Sequence, residues 1–188
     1  MDNSGIYVGL DIGTTSIKVI VAEYVKGQMN VIGVGREPSD GVNRGVIVDI
    51  DKASIAIKRA VESAERKANI QIHDVVAGIP ANLLRIEPVR GMIAISDSSR
   101  EIGNQDVVEV SNAASVHNLP PEQEVVDVLP DEFIVDGFDG IKDPRGMVGV
   151  RLEMNGGLIT GPKTIIHNLK SAIRQAGLGL SLIHISEP

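Results

Sequence analysis

The chain has 188 residues, a formal net charge of −7 and no cysteine, which excludes a disulfide framework and a thiolate metal site. The negative charge argues against a nucleic-acid partner, because phosphate backbones are bound by clustered Lys and Arg. Aromatic residues make up 2% of the sequence, so the core must consist mainly of aliphatic side chains. No apolar run reaches membrane-spanning length and the N-terminus lacks signal-peptide features, so we expect a cytoplasmic protein.

The first predicted elements are two strands joined by a tight turn. An apolar run ends at Asp11, the turn Gly13-Thr14-Thr15-Ser16 follows, and a second apolar run begins at Ile17. Backbone N–H groups and hydroxyls that meet at such a turn suit the oxygens of a nucleotide phosphate. Gly13 lets a ligand approach the backbone closely, and Asp11 could hold a hydrated Mg²⁺. Lys18 could reach a phosphate or face solvent, and a plain β-hairpin is the alternative to a binding loop.

The next elements predict a sheet covered by a helix. Residues 31–35 form a predicted strand, and residues 38–41 have the composition of a turn. The hydrophobic period then changes, which predicts a helix over residues 51–68 that is capped at Asp49 or Asp51 and ends near Asn69. A further strand over residues 74–79 completes an α/β pattern.

The middle of the chain predicts a small α+β unit. Its predicted elements are an extended segment over residues 83–95, a helix from residues 98–101 to about His117, a strand over 124–135 with a break near Pro130, a loop over 138–145 and an extended stretch over 147–160. A last helix follows over residues 162–176, with Pro162 in its first turn and Gly177 at its C-terminal cap.

Other charged residues indicate structural roles. The acidic stretch from Glu122 to Asp143 fits no calcium-loop spacing, so we expect a solvated or partner-facing surface. The four histidines show no metal-ligand spacing. We expect Arg145 and Arg151 to pair with nearby carboxylates rather than with a ligand.

Residues 7–18 resemble the first phosphate loop of the actin, Hsp70 and sugar-kinase superfamily, in which an Asp-x-Gly-Thr hairpin grips the nucleotide phosphates. Three further segments, at residues 41–49, 141–153 and 161–178, occur in the order typical of one family within it. Together they resemble the FtsA family of bacterial actin-like division proteins. The resemblance covers residues 5–178.

The resemblance implies an α/β fold, namely an incomplete actin-like (ribonuclease H-like) subdomain 1A with an inserted α+β subdomain 1C of strand, helix, strand and strand. Residues 1–84 would be the first part of subdomain 1A with the phosphate loop, 85–161 subdomain 1C, and 162–178 the return helix of subdomain 1A. Residues 179–188 depart from the family pattern and resemble translated sequencing-adaptor sequence. We expect them to be a non-native tail, and native codons at this point in the source genome would contradict that.

The resemblance also implies ATP with Mg as the ligand. The residues that it assigns to cofactor binding are Asp11, Gly13, Thr14, Thr15, Ser16 and Lys18, with Asp11 facing Mg through water. The family pattern places a second phosphate loop and the adenosine pocket in a half that this chain lacks. We therefore expect weak or absent ATP binding by the 188 residues alone.

The implied function is a scaffold with at most slow ATP hydrolysis and no catalytic residue in this chain. It would link the FtsZ ring to the cytoplasmic face of the membrane at the septum through a C-terminal helix beyond this chain. It would also recruit later division proteins and associate with itself into filaments, without binding nucleic acid. A phosphotransferase of the sugar-kinase type and a pilus-assembly actin homologue are alternatives, and residues 143–153 favour the division protein.

Overall fold

The structure is a computed structural model that describes residues 5–97, 99–116 and 119–186. The chain folds into two compact units, of which the first contains residues up to Leu83 and from Lys163 onward. The second unit is Leu84–Pro162. Two ends of the predicted middle helix, at Ser98 and His117, lie outside the described residues.

Runs of strands are separated by single α-helices. In chain order they are β1 (Gly5–Ile12), β2 (Ser16–Val25), β3 (Gln28–Pro38), β4 (Val42–Asn43), β5 (Val46–Ile47), α1 (Ile50–Ala68), β6 (Asp74–Pro80), β7 (Arg85–Ala94), α2 (Asn104–Ser115), β8 (Gln123–Val135), β9 (Phe138–Ile141), β10 (Arg151–Pro162), α3 (Lys163–Gln175) and β11 (Gly179–Ser186). A short 3₁₀ turn, Ala81–Leu83, precedes β7.

A five-stranded sheet in the order β11-β6-β1-β2-β3 is the frame of the first unit. β1, β2 and β3 form an antiparallel meander, whereas β6 lies parallel to β1 and β11 lies parallel to β6. Residues along β1 and β2 alternate between buried aliphatic and exposed side chains, as expected for strands with one covered face. α1 packs on β2 and β3 and also contacts α3.

α1 has the caps that its sequence predicts. The Asp49 side chain accepts a hydrogen bond from the Lys52 N–H at 3.1 Å, and Asn69 ends the helix in the left-handed conformation at φ 53°. The helix approaches the sheet closely because β3 presents glycines beneath it. An added Cβ at Gly35 would overlap the Ala60 carbonyl oxygen, and one at Gly33 would lie 2.8 Å from the Ala64 carbonyl oxygen.

The second unit is an antiparallel sheet in the order β7-β10-β8-β9 with α2 on one face. Gly91 of β7 lies beneath α2, and an added Cβ there would overlap the Val110 carbonyl oxygen. The core between helix and sheet is aliphatic apart from one phenylalanine and one methionine. Its buried members are Val89, Ile95, Ile102, Val110, Ala114, Phe133, Val135, Leu152, Met154 and Leu158.

Three features of the second unit differ from the prediction. The predicted loop after residue 138 contains β9, because Asp136 and Gly137 adopt positive φ and fold the chain back onto β8. α2 begins at Asn104, later than predicted. β8 continues through Pro130 instead of breaking, since the strand absorbs the proline with a bulge in its pairing to β10.

Replacing Gly35 with Ala should destabilise the first unit, because the new methyl group meets helix backbone rather than a side chain that can move. Overpacking of this kind costs about 1–3 kcal/mol. We expect the thermal midpoint, followed by circular dichroism, to fall by about 2–4 °C per kcal/mol in a chain of this size. Gly9→Ala is the matched control, since a Cβ at Gly9 in β1 has no atom within 4 Å. Equal midpoints for the two variants would contradict the close approach of α1 to β3.

Candidate functional site

The candidate site is the turn between β1 and β2. The strand register pairs Asp11 with Lys18 and Ile12 with Ile17, so residues 13–15 form the connection. The Gly13 N–H donates to the Ser16 carbonyl at 3.2 Å and closes the turn. Thr14 and Thr15 are exposed at its tip. Their hydroxyls are therefore open to a ligand in solution.

Beside the turn, the side of the sheet opposite α1 carries a cavity of about 420 Å³. The alternation of the strands directs Asp11 and Lys18 to this open face, while Leu10 and Ile17 are buried. The lining residues are Gly9, Leu10, Asp11, Lys18, Ile20, Val76 and Gly78. Gly9 and Gly78 have no side chain that would fill the cavity. The two charged side chains lie at the end nearest the turn.

Asp11 and Lys18 form an ion pair with the Lys18 Nζ 3.1 Å from the Asp11 Oδ2. Their side chains are 57% and 50% exposed, and a pair at that exposure contributes only about 0–1 kcal/mol. Either group can therefore turn to a ligand at small cost. An ammonium group beside a carboxylate suits a ligand that carries both phosphate and a hydrated cation.

Ser16 is the predicted site residue that the structure does not bring to the surface. It lies two residues before Lys18, on the same face of β2, but is only 5% exposed. Asp11, Gly13, Thr14, Thr15 and Lys18 remain at the same end of the hairpin with at least part of their surface open. Among the described residues, no group of three or more His, Cys, Asp or Glu could hold a metal ion.

Ser39, just beyond β3, contacts the turn of the candidate site, although the sequence does not predict this. Its hydroxyl donates to the Gly13 carbonyl at 2.6 Å, and its N–H donates to the Thr15 carbonyl at 3.1 Å. The sequence marks residues 38–41 only as a turn. The contact depends on the β2–β3 register, which pairs Ser16 with Pro38 and so places Ser39 beside the turn.

The second unit carries the acidic charge of the chain. It contains fourteen Asp and Glu but only six Lys and Arg, a net charge of −8 against −7 for all 188 residues. The predicted pairing of two arginines with carboxylates is confirmed. Arg145 binds Asp143 with both contacts at 2.7 Å, and the Arg151 Nε lies 3.0 Å from Glu153. The guanidinium of Arg145 also holds the pKa of Asp143 below its ordinary value.

Glu153 is a buried carboxylate on β10, only 3% exposed. Arg90 of the neighbouring strand β7 binds one of its oxygens, and Arg151 binds the other. A buried carboxylate needs such partners because an unpaired buried charge is strongly unfavourable. The trio joins two strands of the second sheet.

Asp106 caps α2 from within its first turn. It accepts hydrogen bonds from both terminal nitrogens of Arg100, at 2.7 and 2.6 Å, and from the Gly103 N–H at 2.8 Å. These donors stabilise the ionised form, with Arg100 the largest contributor, and lower the pKa of Asp106 to about 2. The contacts tie the start of α2 to the loop before it.

The Asp106 contacts make the stability of the second unit depend on pH. Because the pKa falls from 3.8 to about 2 on folding, the stabilisation is complete above pH 4 and is lost as the pH falls through 2. At pH 7, Asp106→Asn should lower the free energy of unfolding by about 1–3 kcal/mol. The difference from the parent should shrink between about pH 4 and pH 2 in urea unfolding. Asp139→Asn is the control, since Asp139 is exposed on β9, and a gap that stays constant with pH would contradict this assignment.

The chain is similar in sequence to known proteins. A family model described as "SHS2 domain inserted in FTSA" matches residues 81–160. Over 186 residues the chain is 59% identical to "Cell division protein FtsA" of Enterococcus faecalis. The match covers 99% of this chain and 42% of that protein. The protein of the same name from Bacillus subtilis is 45% identical over 181 residues, covering 96% and 41%. The chain thus spans about two fifths of the length of these curated relatives.

Among solved structures, a chain of the "PilM-PilN type IV pilus biogenesis complex" superposes with a TM-score of 0.61 at 14% identity. The match covers 95% of this chain and 47% of that one. A likeness at this identity concerns the fold alone. With the matched insertion, it confirms the predicted class, an actin-like α/β fold with an inserted α+β unit. No helix in the described part of the chain is long and apolar enough to cross a membrane.

Proposed function

Because the chain belongs to the FtsA family of cell division proteins, we propose that it is the N-terminal part of an ATP-binding scaffold of the division machinery. In the longer protein, this scaffold links the FtsZ ring to the cytoplasmic membrane at the septum and recruits later division proteins. Subdomain 1A comprises residues 1–84 and 162–178, and subdomain 1C residues 85–161. The two compact units support this division. The non-native origin of residues 179–188 stays a prediction, although the backbone of β11 pairs with β6.

The hairpin of β1 and β2 is the observation that carries the nucleotide part of the proposal. Thr14 and Thr15 offer exposed hydroxyls at the tip, and Lys18 stands beside the adjoining cavity. Backbone N–H groups of the turn, the hydroxyls and one ammonium form a donor set that suits phosphate oxygens. Ser16 joins that set only if its buried hydroxyl becomes exposed when the ligand binds.

Asp11 supplies the carboxylate for Mg²⁺. A single carboxylate fits an ion that keeps most of its waters, so Asp11 would hold the metal through water. With nucleotide bound, the Asp11–Lys18 ion pair would separate, so that Lys18 would face phosphate and Asp11 the hydrated cation. The exposure of both side chains supports this exchange, since a surface pair is broken at little cost. Bound Mg²⁺ would offset the negative charge of the phosphates.

The hairpin forms only one wall of a nucleotide site. A drug-sized ligand is normally buried over most of its surface, and the cavity beside Asp11 is lined by residues of one sheet face. We therefore expect little or no Mg-ATP binding to the 188-residue chain and tight binding only when the remaining part of the protein closes over the site.

Replacing Gly13 with Val in the full-length protein tests the nucleotide site. An added Cβ at Gly13 lies 2.9 Å from the Ser16 carbonyl oxygen, so a branched side chain displaces the turn and crowds the phosphate. We expect the displaced turn to weaken phosphate binding by about 3 kcal/mol, which corresponds to roughly a hundredfold rise in the Kd for Mg-ATP. Isothermal titration measures the Kd, and circular dichroism checks that the fold is retained.

Gly103→Val is the control for that titration. Gly103 has extended backbone geometry with φ −110°, and an added Cβ meets no atom nearer than 3.9 Å. This variant should bind Mg-ATP like the parent. A Gly13→Val protein that binds as tightly as the parent would show that the turn is not the phosphate site.

The second unit is proposed as a protein-interaction module. Among the described residues, β7 has a neighbouring strand on one side only, and β9 pairs with Phe133 and Val135 of β8 alone. The first part of β8 therefore has one neighbouring strand in the described part of the sheet. Free edges accept a strand from a partner or from a second copy. The net charge of −8 makes such an encounter sensitive to salt.

Deleting residues 85–161 from the full-length protein tests the module. Arg85 of β7 pairs directly with Thr160 of β10, so the unit begins and ends at neighbouring points and can be replaced by a short linker. We expect the deletion to spare attachment to the membrane and the FtsZ ring but to block filament growth or recruitment of later division proteins. Retained Mg-ATP binding is the control that the remaining part folds. Normal polymerisation and septation by the deletion protein would refute the module.

A further inference from the structure

Ser39 holds the turn between β1 and β2 from outside the hairpin. Its hydroxyl donates to the Gly13 carbonyl at 2.6 Å, and its backbone N–H donates to the Thr15 carbonyl at 3.1 Å. These two carbonyls flank Thr14 at the tip of the turn. One residue, distant in sequence, therefore binds the turn on both sides of its central peptide.

These hydrogen bonds occupy carbonyl oxygens of the turn that would otherwise repel an anion. A loop that binds phosphate must direct N–H groups to the ligand, whereas carbonyl oxygens repel it. Ser39 donates hydrogen bonds to the carbonyls of Gly13 and Thr15, and the Gly13 N–H donates to the carbonyl of Ser16. Three of the four carbonyls of residues 13–16 are thus occupied within the protein. The Thr14 and Thr15 N–H groups are not used by these contacts.

We infer that Ser39 is a positioning residue, which sets the polarity of the turn so that its N–H groups and not its carbonyls face a phosphate. This inference rests on the proposed nucleotide function of the turn. Ser39 does not itself touch the ligand. The hydroxyl is the decisive part, since any residue except proline at position 39 would keep the N–H contact to Thr15.

Two substitutions separate the hydroxyl from the rest of the side chain. Ser39→Ala removes the donor to Gly13, and Ser39→Thr keeps it. The added methyl group of Thr has room, because Ser39 also lines a cavity of about 470 Å³ between the end of β3 and α1. Ser171→Ala is the matched control, as it removes a partly exposed hydroxyl on α3 that lies 3.4 Å from the His167 Nε2.

The first measurement is amide hydrogen exchange by NMR on the 188-residue chain without nucleotide. The Gly13 N–H and the Ser39 N–H report the turn, since both are donors in its hydrogen bonds. Loss of one hydrogen bond should raise their exchange rates about tenfold in Ser39→Ala. Ser39→Thr and Ser171→Ala should exchange like the parent. Unchanged exchange in Ser39→Ala would overturn the inference.

The second measurement is the Kd for Mg-ATP of the full-length protein. We expect Ser39→Ala to bind about tenfold more weakly and Ser39→Thr to regain parental affinity. A looser turn with parental affinity in Ser39→Ala would overturn the positioning role. A full-length parent that does not bind Mg-ATP at all would instead overturn the proposed nucleotide function, and the exchange rates would still decide whether Ser39 holds the turn.

Discussion

The direct contact between helix backbone and strand glycines is the constraint on which the rest of the first unit depends. Gly33 and Gly35 leave no side chain between β3 and α1, so the helix lies against the strand itself. One face of the β1–β2–β3 meander is therefore covered by α1. The alternate residues of β1 and β2 then point to the opposite face. Asp11 and Lys18 belong to that outward set. The packing of one helix thus decides which face can carry chemistry.

The second unit uses the same device with a different result. Gly91 allows α2 to rest on β7 as Gly35 allows α1 to rest on β3. Its other face, however, carries a buried carboxylate, Glu153, between Arg90 and Arg151. A buried charge held by two arginines gives this sheet a specific register, because a shift of one residue would separate the partners. In the described residues, the unit is therefore a sheet of fixed register with strand edges that lack a neighbouring strand and with a surplus of negative charge.

The site itself depends on a contact between segments that are distant in the chain. A turn of glycine, threonine and serine has many conformations, and only some direct N–H groups to one side. Ser39 restricts that choice because it occupies two carbonyls at once. Its position follows from the pairing of β2 with β3, which the α1–Gly35 contact holds in place. The geometry of the turn is thus linked to the packing of the first unit through one strand register.

The sequence by itself determined the features that depend on short-range signals. The alternation around Asp11 and Lys18, the helix between Asp49 and Asn69 and the acidic character of residues 122–143 are all readable within a few positions. Tertiary structure decided the burial of Ser16, the short strand β9, the bulge at Pro130 and the role of Ser39. Each of these depends on which strand lies beside which and in what register. That choice is made by packing between residues far apart in the chain, and no local pattern contains it.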